Sequence, residues 1–425
     1  RTVQVREPVS LDPAVLANNW VGQALLGNAI YGTLLVDDPP ESLEVEYKLA
    51  TDLATTDGGA TFTLSLRPDL TFTDGTPLDA RAVAFNWDRL RDPATASASL
   101  PQASQVASTE VVDPTTVKIT MAAANPQFAH SIAASALNWI ASPAALGKGQ
   151  EAFNSAPVGA GPFVLTEWRR QDRIELDRNP PGYWDAPKPY LDHITLRTVS
   201  DVNQRTNVLV GGAADLVAES SWSALARARE AGYVTDIVRE GGGQYIALNA
   251  RRAPPFDDVR ARRAVAAAVD TNAINDAVFG GDAEVPPRTL FAESSPFFAD
   301  IPLGDHDPPD EAQRLFDELA AEGKPVEFTF TTTSLVEIKS VAEAVQAQLS
   351  AFDNVEVNVE ILDYAAFMPR YSGRDFDARS GRQASRSRTR RCGARSTRSP
   401  RAMSRRRRSG ARRRPRRRFG RRRPR

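Results

Sequence analysis

The most regular hydrophobic pattern in the chain runs from Thr61 to Leu90. Apolar and polar residues alternate over Thr61–Leu66, which is typical of a strand with one buried face. Pro68 follows and cannot donate to a strand ladder, and Asp74-Gly75 is a strong turn dipeptide. Asp79 can then cap a helix with one apolar face, formed by Ala80, Val83, Ala84, Trp87 and Leu90.

Weaker patterns of the same kind precede and follow this stretch. Residues 2–5 predict a first strand, and the segment from Trp20 to Leu35 predicts a helix. Residues 111–120 predict two strands about a turn, and Asn125-Pro126 is predicted to open a further helix. Farther on, Asp258 and Asp270 are predicted helix caps, and Gly280 is a predicted helix end.

Helices and strands alternate over residues 308–363. Asp310 is predicted to cap a helix that ends at Gly323. A strand, a second amphipathic helix and a second strand follow, with their apolar residues at Val326, Phe328 and Phe330, at Ile338, Val341, Val345 and Leu349, and at Val355, Val357, Val359 and Ile361. This order predicts a parallel sheet covered by helices.

The net charge of zero hides a strong separation of charge along the chain. Residues 379–425 contain 23 arginines and no Asp, Glu or Lys, which leaves 53 − 23 = 30 basic residues against 53 acidic residues in 1–378. The chain is therefore an acidic globular protein, with a net charge of 30 − 53 = −23, joined to an arginine-rich tail.

The cysteine content and the apolar runs of the chain carry little information about its function. The only cysteine is Cys392, in the tail, and a cysteine-free body is compatible with export. No run of about 18 apolar residues occurs. The chain begins at Arg1 within a predicted strand, so we expect that a leader is absent from the sequence.

Several motifs resemble those of the family 5 extracytoplasmic solute-binding proteins, which serve ABC importers for peptides, nickel and related ligands. The stretch Thr61–Leu90 carries the most detailed match, followed by Pro-Val-Gly-Ala-Gly-Pro-Phe at 157–163. Arg-Asn-Pro and Tyr-Trp at 178–184 also match. The fourth match lies at 256–270, where Phe-Asp-Asp-Val-Arg-Ala-Arg-Arg-Ala precedes Ala-Val-Asp.

The resemblance implies an α/β fold with two lobes, like the class II periplasmic binding proteins, and an extra small inserted domain. Residues 1–35 plus 158–240 would form the first lobe, and 36–157 the small domain. Residues 241–378 would form an incomplete second lobe, entered through the glycines before Tyr245. Residues 379–425 would be a disordered tail.

The resemblance also implies a function. The protein would capture a peptide or similar small solute between its lobes and deliver it to the permease subunits of an ABC importer. It would be an extracytoplasmic monomer without a cofactor or metal, associated with a membrane only through an absent leader or lipid anchor. Nickel, opines and oligosaccharides remain alternative solutes. The candidate ligand-binding residues are Asn18, Asn19, Trp20, Tyr31, Asn138, Trp139 and Tyr245.

The sequence allows two alternative functions. The arginine-rich tail could bind nucleic acid by neutralising phosphates. However, the family pattern stops at Ala378 and apolar periodicity is lost after it, so we interpret residues 379–425 as the product of a shifted reading frame and expect no specific nucleic-acid partner. A hydrolase is the other alternative, but Gly-x-Ser-x-Gly, His-Glu-x-x-His and Walker motifs do not occur, and His130, His193 and His306 are scattered.

Overall fold

A computed structural model describes residues 1–16, 23–37, 44–179, 183–219, 221–235, 238–241, 244–251, 254–281, 298–301, 308–382 and 385–390. The strands within these ranges are β1 (Thr2–Gln4), β2 (Leu35–Asp37), β3 (Val45–Tyr47), β4 (Ala50–Ala54), β5 (Thr61–Leu66), β6 (Val106–Asp113), β7 (Thr116–Met121), β8 (Phe163–Arg169), β9 (Arg173–Arg178), β10 (His193–Thr198), β11 (Leu216–Val217), β12 (Val238–Gly241), β13 (Gln244–Leu248), β14 (Val326–Thr333), β15 (Val355–Leu362), β16 (Ala378–Arg382) and β17 (Ser385–Arg390).

Helices connect most of these strands. They are α1 (Gln23–Tyr31), α2 (Ala80–Arg91), α3 (Leu100–Ala103), α4 (Phe128–Ala133), α5 (Pro143–Leu146), α6 (Gln150–Ser155), α7 (Val202–Val210), α8 (Trp222–Glu230), α9 (Val259–Ala268), α10 (Thr271–Phe279), α11 (Pro309–Ala321), α12 (Val336–Leu349) and α13 (Tyr364–Gly373). Two short 3₁₀ turns lie at Pro93–Thr95 and Ala136–Asn138.

The first lobe is built on a five-stranded mixed sheet with the order β11-β1-β10-β9-β8. β1 lies between β10 and β11 and is parallel to both, with Thr2 opposite Leu196 and Leu216. β8, β9 and β10 are joined antiparallel. The sheet therefore combines the start of the chain with strands that come after a long excursion.

That excursion contains the stretch with the most regular hydrophobic pattern. β5 lies in a four-stranded antiparallel sheet of order β4-β5-β7-β6, and its alternate residues are buried. Asp79 caps α2 by accepting hydrogen bonds from the backbone of Arg81 and Ala82. Trp87 and Phe72 are buried in the core, at 0% and 3% exposed. The predicted strand, cap and helix are confirmed.

The second lobe contains a four-stranded sheet of order β13-β16-β14-β15. β14 is parallel to β15 over its full length and to β16 at Phe330 and Thr331. α12 connects β14 to β15 and packs into the same core as Phe328 and Phe330. The parallel pair and its covering helix confirm the alternation predicted from residues 308–363.

The C-terminal part of the second lobe differs from the prediction of a disordered tail from residue 379. β16 continues to Arg382, between β13 and β14, and β17 pairs antiparallel with β12. The backbone supplies the hydrogen bonds of a strand ladder, so a segment with few apolar residues can fill a sheet position between two strands. The rest of the predicted tail, 391–425, lies outside the described residues.

Two hydrophobic cores hold the protein together. One core contains residues of the first-lobe sheet, such as Leu176 and Leu196, together with Phe62 and Trp87 of the excursion. The second core contains the apolar residues of the second lobe, among them Phe256, Phe316 and Phe330. Residues of the segment 36–157 therefore pack in the same core as residues of the first-lobe sheet.

The glycines at 159 and 161 allow the chain to return to the first lobe. A Cβ at Gly159 would lie 2.2 Å from the carbonyl oxygen of Ile30, and one at Gly161 would lie 2.3 Å from that of Ala29. The Gly161 N–H donates to the Ile30 carbonyl at 2.9 Å. The absence of a side chain at both positions therefore permits close backbone contact with the end of α1.

Helix ends follow the predictions with two exceptions. Asp258 and Asp270 cap α9 and α10, and Gly280 ends α10 in the left-handed conformation. The predicted cap at Asp310 is wrong, because Pro308 occupies that position and Asp310 lies in the first turn of α11. The helix predicted to reach Leu35 ends at Tyr31, and Leu35 begins β2.

Substitution of Gly161 by alanine should lower the free energy of unfolding by roughly 1–3 kcal/mol, since the new methyl group would overlap the backbone of α1. Urea denaturation followed by circular dichroism would measure the change. Gly373→Ala is the matched control, because no atom lies within 4 Å of a Cβ placed there. Equal stability of the Gly161 and Gly373 variants would contradict the proposed close contact.

Candidate ligand-binding site

Parallel strands bring their carboxyl ends to one edge of a sheet, and open α/β sheets bind ligands outside that edge. The first lobe has such an edge at the ends of β1, β10 and β11, near Gln4, Thr198 and Val217. The second lobe has one at the ends of β14, β15 and β16. The residues at these two edges are the candidates for ligand contact.

Buried polar groups occupy the first-lobe edge. Gln4 is 0% exposed; its Nε2 donates to the Thr198 hydroxyl at 3.3 Å, and its Oε1 has no protein partner among the described residues. Arg205 of α7 and Glu219, just after β11, form an ion pair whose side chains are 5% and 7% exposed. This edge therefore holds charged and amide groups within the protein rather than at its surface.

Tyr245 lies at the second-lobe edge. It pairs with Gly381 of β16, and β16 runs parallel to β14 with Ala378 opposite Phe330. Gly381 comes three residues after Ala378, and Thr333 comes three residues after Phe330, so Gly381 lies level with Thr333 at the carboxyl end of β14. Tyr245, the partner of Gly381, lies at the same level. The tyrosine is 38% exposed, so its ring is accessible at this edge.

Arg379 lies among three aromatic rings, one of which is the ring of Tyr245. The guanidinium carbon of Arg379 is 5.8 Å from the ring centre of Tyr245, 4.5 Å from that of Tyr371 and 5.0 Å from that of Phe376. Such distances allow cation–π attraction. Its Nη1 donates to the Ser380 carbonyl, while its buried Nε has no partner among the described residues.

The end of β14 adds hydroxyls and a charged pair. The Thr331 hydroxyl donates to Glu360 of β15, which also accepts from Arg370 of α13 at 2.9 Å. The buried hydroxyls of Thr332 and Thr333 have no partner in the described structure. The second-lobe edge thus combines aromatic rings, hydroxyls and charges of both signs.

Three of the predicted site residues, Asn18, Asn19 and Trp20, lie outside the described residues. Tyr31 is described and faces the core: it is 0% exposed, its hydroxyl donates to the Leu11 carbonyl, and its ring stacks on Phe153. Burial raises the pKa of Tyr31 well above its usual value.

Asn138 and Trp139 also lie in the interior. The Asn138 side chain bonds both backbone groups of Leu35, its Nδ2 donating to the carbonyl at 2.9 Å and its Oδ1 accepting from the N–H at 3.1 Å. The Trp139 indole N–H donates to Asn28, and its ring covers Gly27. These contacts hold the segment after α1 in place. Among the predicted site residues that the structure describes, Tyr245 alone is both exposed and at a carboxyl edge.

Comparison with known protein families identifies the family of the chain. Residues 44–387 match the bacterial extracellular solute-binding proteins, family 5 (middle region). The chain belongs to this family.

Individual relatives agree with this family. The chain is 33% identical over 291 residues to the glutathione-binding protein GsiB of Escherichia coli O157:H7, an alignment covering 67% of this chain and 56% of the relative. The chain thus matches a little over half the length of that relative. The structure resembles that of the PBP AgaA from A. tumefaciens R10 in complex with agropinic acid, with 25% identity, a TM-score of 0.76, and coverage of 91% of this chain and 77% of AgaA.

A more distant relative shows the same fold. The oligopeptide-binding protein AppA of Bacillus subtilis, in complex with a nonapeptide, is 22% identical, with a TM-score of 0.74 and coverage of 91% of this chain and 79% of AppA. The periplasmic-binding-protein fold predicted from the sequence is confirmed. Within the described ranges, every helix falls short of the length and apolarity that crossing a bilayer requires.

Sequence reasoning missed the charged residues of both edges, including Arg205, Glu219, Glu360 and Arg370. Each is a single charged residue in or beside an amphipathic element, where a solvated position is the ordinary expectation. The nearby sequence Gly-x-x-Asp-Leu at 212–216 gives no sign that Arg205 faces inward.

His130 and His193 each contact acidic side chains. His130 contacts Asp37 at 2.8 Å, and His193 contacts both Asp177 and Glu175 on the neighbouring strand. His306 lies outside the described residues. Within the described part of the chain, no group of three or more His, Cys, Asp or Glu side chains is arranged to hold a metal ion.

His193 should make stability depend on pH. The hydrogen bond to Asp177, with a further contribution from Glu175, raises the pKa of His193 in the folded protein above its usual 6.5. Its contribution is therefore fully present below pH 6.5 and is lost as the pH rises through the folded-state pKa. Because the ring is 46% exposed, we expect at most about 1 kcal/mol.

Comparison of the unsubstituted protein with His193→Gln would test this dependence. We expect the variant to lower Tm more at pH 6 than at pH 9, where the imidazole is neutral in both states. His130→Gln serves as a second histidine variant for comparison. A Tm difference for His193→Gln that is larger at pH 9 than at pH 6 would refute the assignment.

Proposed function

We propose that this protein is the solute-binding component of an ABC importer, and that it captures a peptide or similar small solute between two lobes. The observation that carries the proposal is the family match over residues 44–387, on a fold with two sheets whose carboxyl edges bear polar and aromatic groups. Its partners would be the solute and the permease subunits that receive it outside the cytoplasm.

The proposed domain arrangement places 1–35 and 158–240 in the first lobe, 36–157 in the inserted domain and 241–378 in the second lobe. The ribbon of β12 and β17 supports a connection between the lobes, because β12 leads into β13 and β17 follows β16. Closure about a few connecting residues is a common response of two-lobed proteins to ligand. The role of the solute would be to stabilise the closed form.

A peptide is the proposed solute class. GsiB, the relative with 33% identity, binds glutathione, which is itself a modified tripeptide. A peptide carries an amine, carboxylates and backbone amides, and the second-lobe edge supplies the matching carboxylate of Glu360, the guanidinium groups of Arg370 and Arg379, and the threonine hydroxyls. An opine is the alternative solute class, because the structure of AgaA contains agropinic acid.

Titration of the full chain with glutathione would test the proposed function directly. Tryptophan fluorescence and isothermal titration calorimetry would report binding, and mass spectrometry of the recovered glutathione would report any turnover. We expect saturable binding, a rise in Tm and unchanged glutathione. A parallel titration with an opine and with Ni²⁺ separates the solute classes. Absence of binding to all three, or chemical conversion of any, would count against the proposal.

Replacement of Tyr245 by alanine should weaken glutathione binding about tenfold or more, because an accessible aromatic ring at the edge would be lost from the contact surface. Tyr190→Ala is the control. Tyr190 is 76% exposed and precedes β10, at the amino end of that strand and thus at the opposite edge of the first-lobe sheet. Equal affinities of the two variants would remove Tyr245 from the proposed site.

A further inference from the structure

Arg205 makes the densest set of hydrogen bonds at the first-lobe edge. Its Nε and Nη2 donate to the two carboxylate oxygens of Glu219 at 2.8 and 3.1 Å. Its Nη1 donates to the carbonyls of Val199 and Ser200 at 2.8 and 2.6 Å. The residue is 4% exposed, so these bonds form away from water.

The partners of Arg205 belong to different strand ends. Val199 and Ser200 follow β10, and Glu219 follows β11. The Val199 N–H donates to the Gln4 carbonyl at the end of β1, and the Glu219 carboxylate also accepts from the Ser221 N–H at the start of α8. One guanidinium therefore links the carboxyl ends of all three parallel strands of this sheet.

Stability alone is a weak explanation for such a pair. Removing two charges from water costs several kcal/mol per ion, and apolar residues of similar volume often replace a buried pair without loss of stability. What apolar residues cannot reproduce is direction, because the planar guanidinium fixes the positions of two carbonyls and one carboxylate at the same time. The pair thus defines the geometry of the loops beyond the sheet edge.

We propose that Arg205 is a positioning residue for the first-lobe half of the ligand site. It does not contact the solute. It holds the segments after β10 and β11 at fixed positions relative to the end of β1, so that this edge is already ordered when a solute arrives, which lowers the cost of binding. This role rests on the proposed solute-binding function.

An apolar replacement of both partners separates positioning from stability. In the double variant Arg205→Met/Glu219→Leu no buried charge is left unpaired, so we expect a Tm within a few degrees of the unsubstituted protein. We expect glutathione affinity to fall at least tenfold. We also expect amide exchange at Val199 and Ala218, whose N–H groups bond the end of β1, to become at least tenfold faster.

The variant Arg205→Lys tests whether the planar guanidinium group is required. Lysine keeps the positive charge but cannot bond a carboxylate and two carbonyls in the same plane. We expect it to reproduce the affinity loss and the faster exchange of the double variant. If lysine restores both, the charge alone suffices and the positioning role is wrong.

A second arginine–glutamate pair, more exposed and located in the second lobe, supplies the control. Arg260 also donates to both oxygens of a glutamate, Glu322, at 2.7 and 2.8 Å, and lies at the start of α9, far along the chain from the first-lobe edge. Arg260→Met/Glu322→Leu should leave glutathione affinity and the exchange at Val199 and Ala218 unchanged. Equal effects of the two double variants would overturn the proposal.

The affinity and exchange measurements distinguish failure of the Arg205 role from failure of the proposed function. Amide exchange needs no solute, so unchanged exchange in Arg205→Met/Glu219→Leu would overturn the role of Arg205 even if the protein binds glutathione. Faster exchange with unchanged affinity would do the same. Absence of glutathione, opine and Ni²⁺ binding by the unsubstituted protein would instead count against the proposed function, while the exchange result would still decide whether Arg205 orders the edge.

Discussion

The close contact between the end of α1 and the loop Gly159–Gly161 is the constraint on which the first lobe depends. The chain leaves the first lobe after α1 and re-enters it at β8, so departure and return must meet at one place. The Gly161 N–H donates to Ile30, and the Gly159 carbonyl accepts from Thr73 of the excursion at 2.9 Å. At positions 159 and 161 only glycine fits, because a Cβ at either position would overlap the backbone of α1. Return at this point allows β8, β9 and β10 to join the sheet of β1, with β10 as the direct neighbour of β1.

Once β1 lies between β10 and β11, the position of the candidate edge follows from the direction of the three strands. Three parallel strands end together, and the loops that leave them must be held without a hydrophobic core of their own. Arg205 and Glu219 do this with directed bonds, whereas the second-lobe edge relies on aromatic contact around Arg379 and on the pair of Glu360 with Arg370. The two halves of the candidate site are therefore built from different interactions, one buried and ionic, the other partly exposed and aromatic.

Local sequence patterns predicted the elements that depend on neighbouring residues. The period-two pattern of β5, the caps at Asp79, Asp258 and Asp270, and the alternation around α12 were correct, because each involves contacts within a few positions. The prediction at Asp310 failed where Pro308 provided the preceding extended residue instead. Among the candidate site residues, Tyr31, Asn138 and Trp139 are aromatic or amide groups whose partners lie far away in the chain, and local pattern could not distinguish a core position from a cleft position.

The sequence by itself determined the family, the alternation of helices and strands over residues 308–363 and the acidic character of residues 1–378, because motifs, periodicity and charge are properties of the chain alone. Tertiary structure decided which polar residues face one another. Arg205 meets Glu219 only because α7 returns to the sheet edge, and Tyr245 reaches the level of Thr333 only because β16 fills the position between β13 and β14. These contacts depend on the register and direction of neighbouring strands in the sheet. The spacing of residues within a single helix or strand does not determine them.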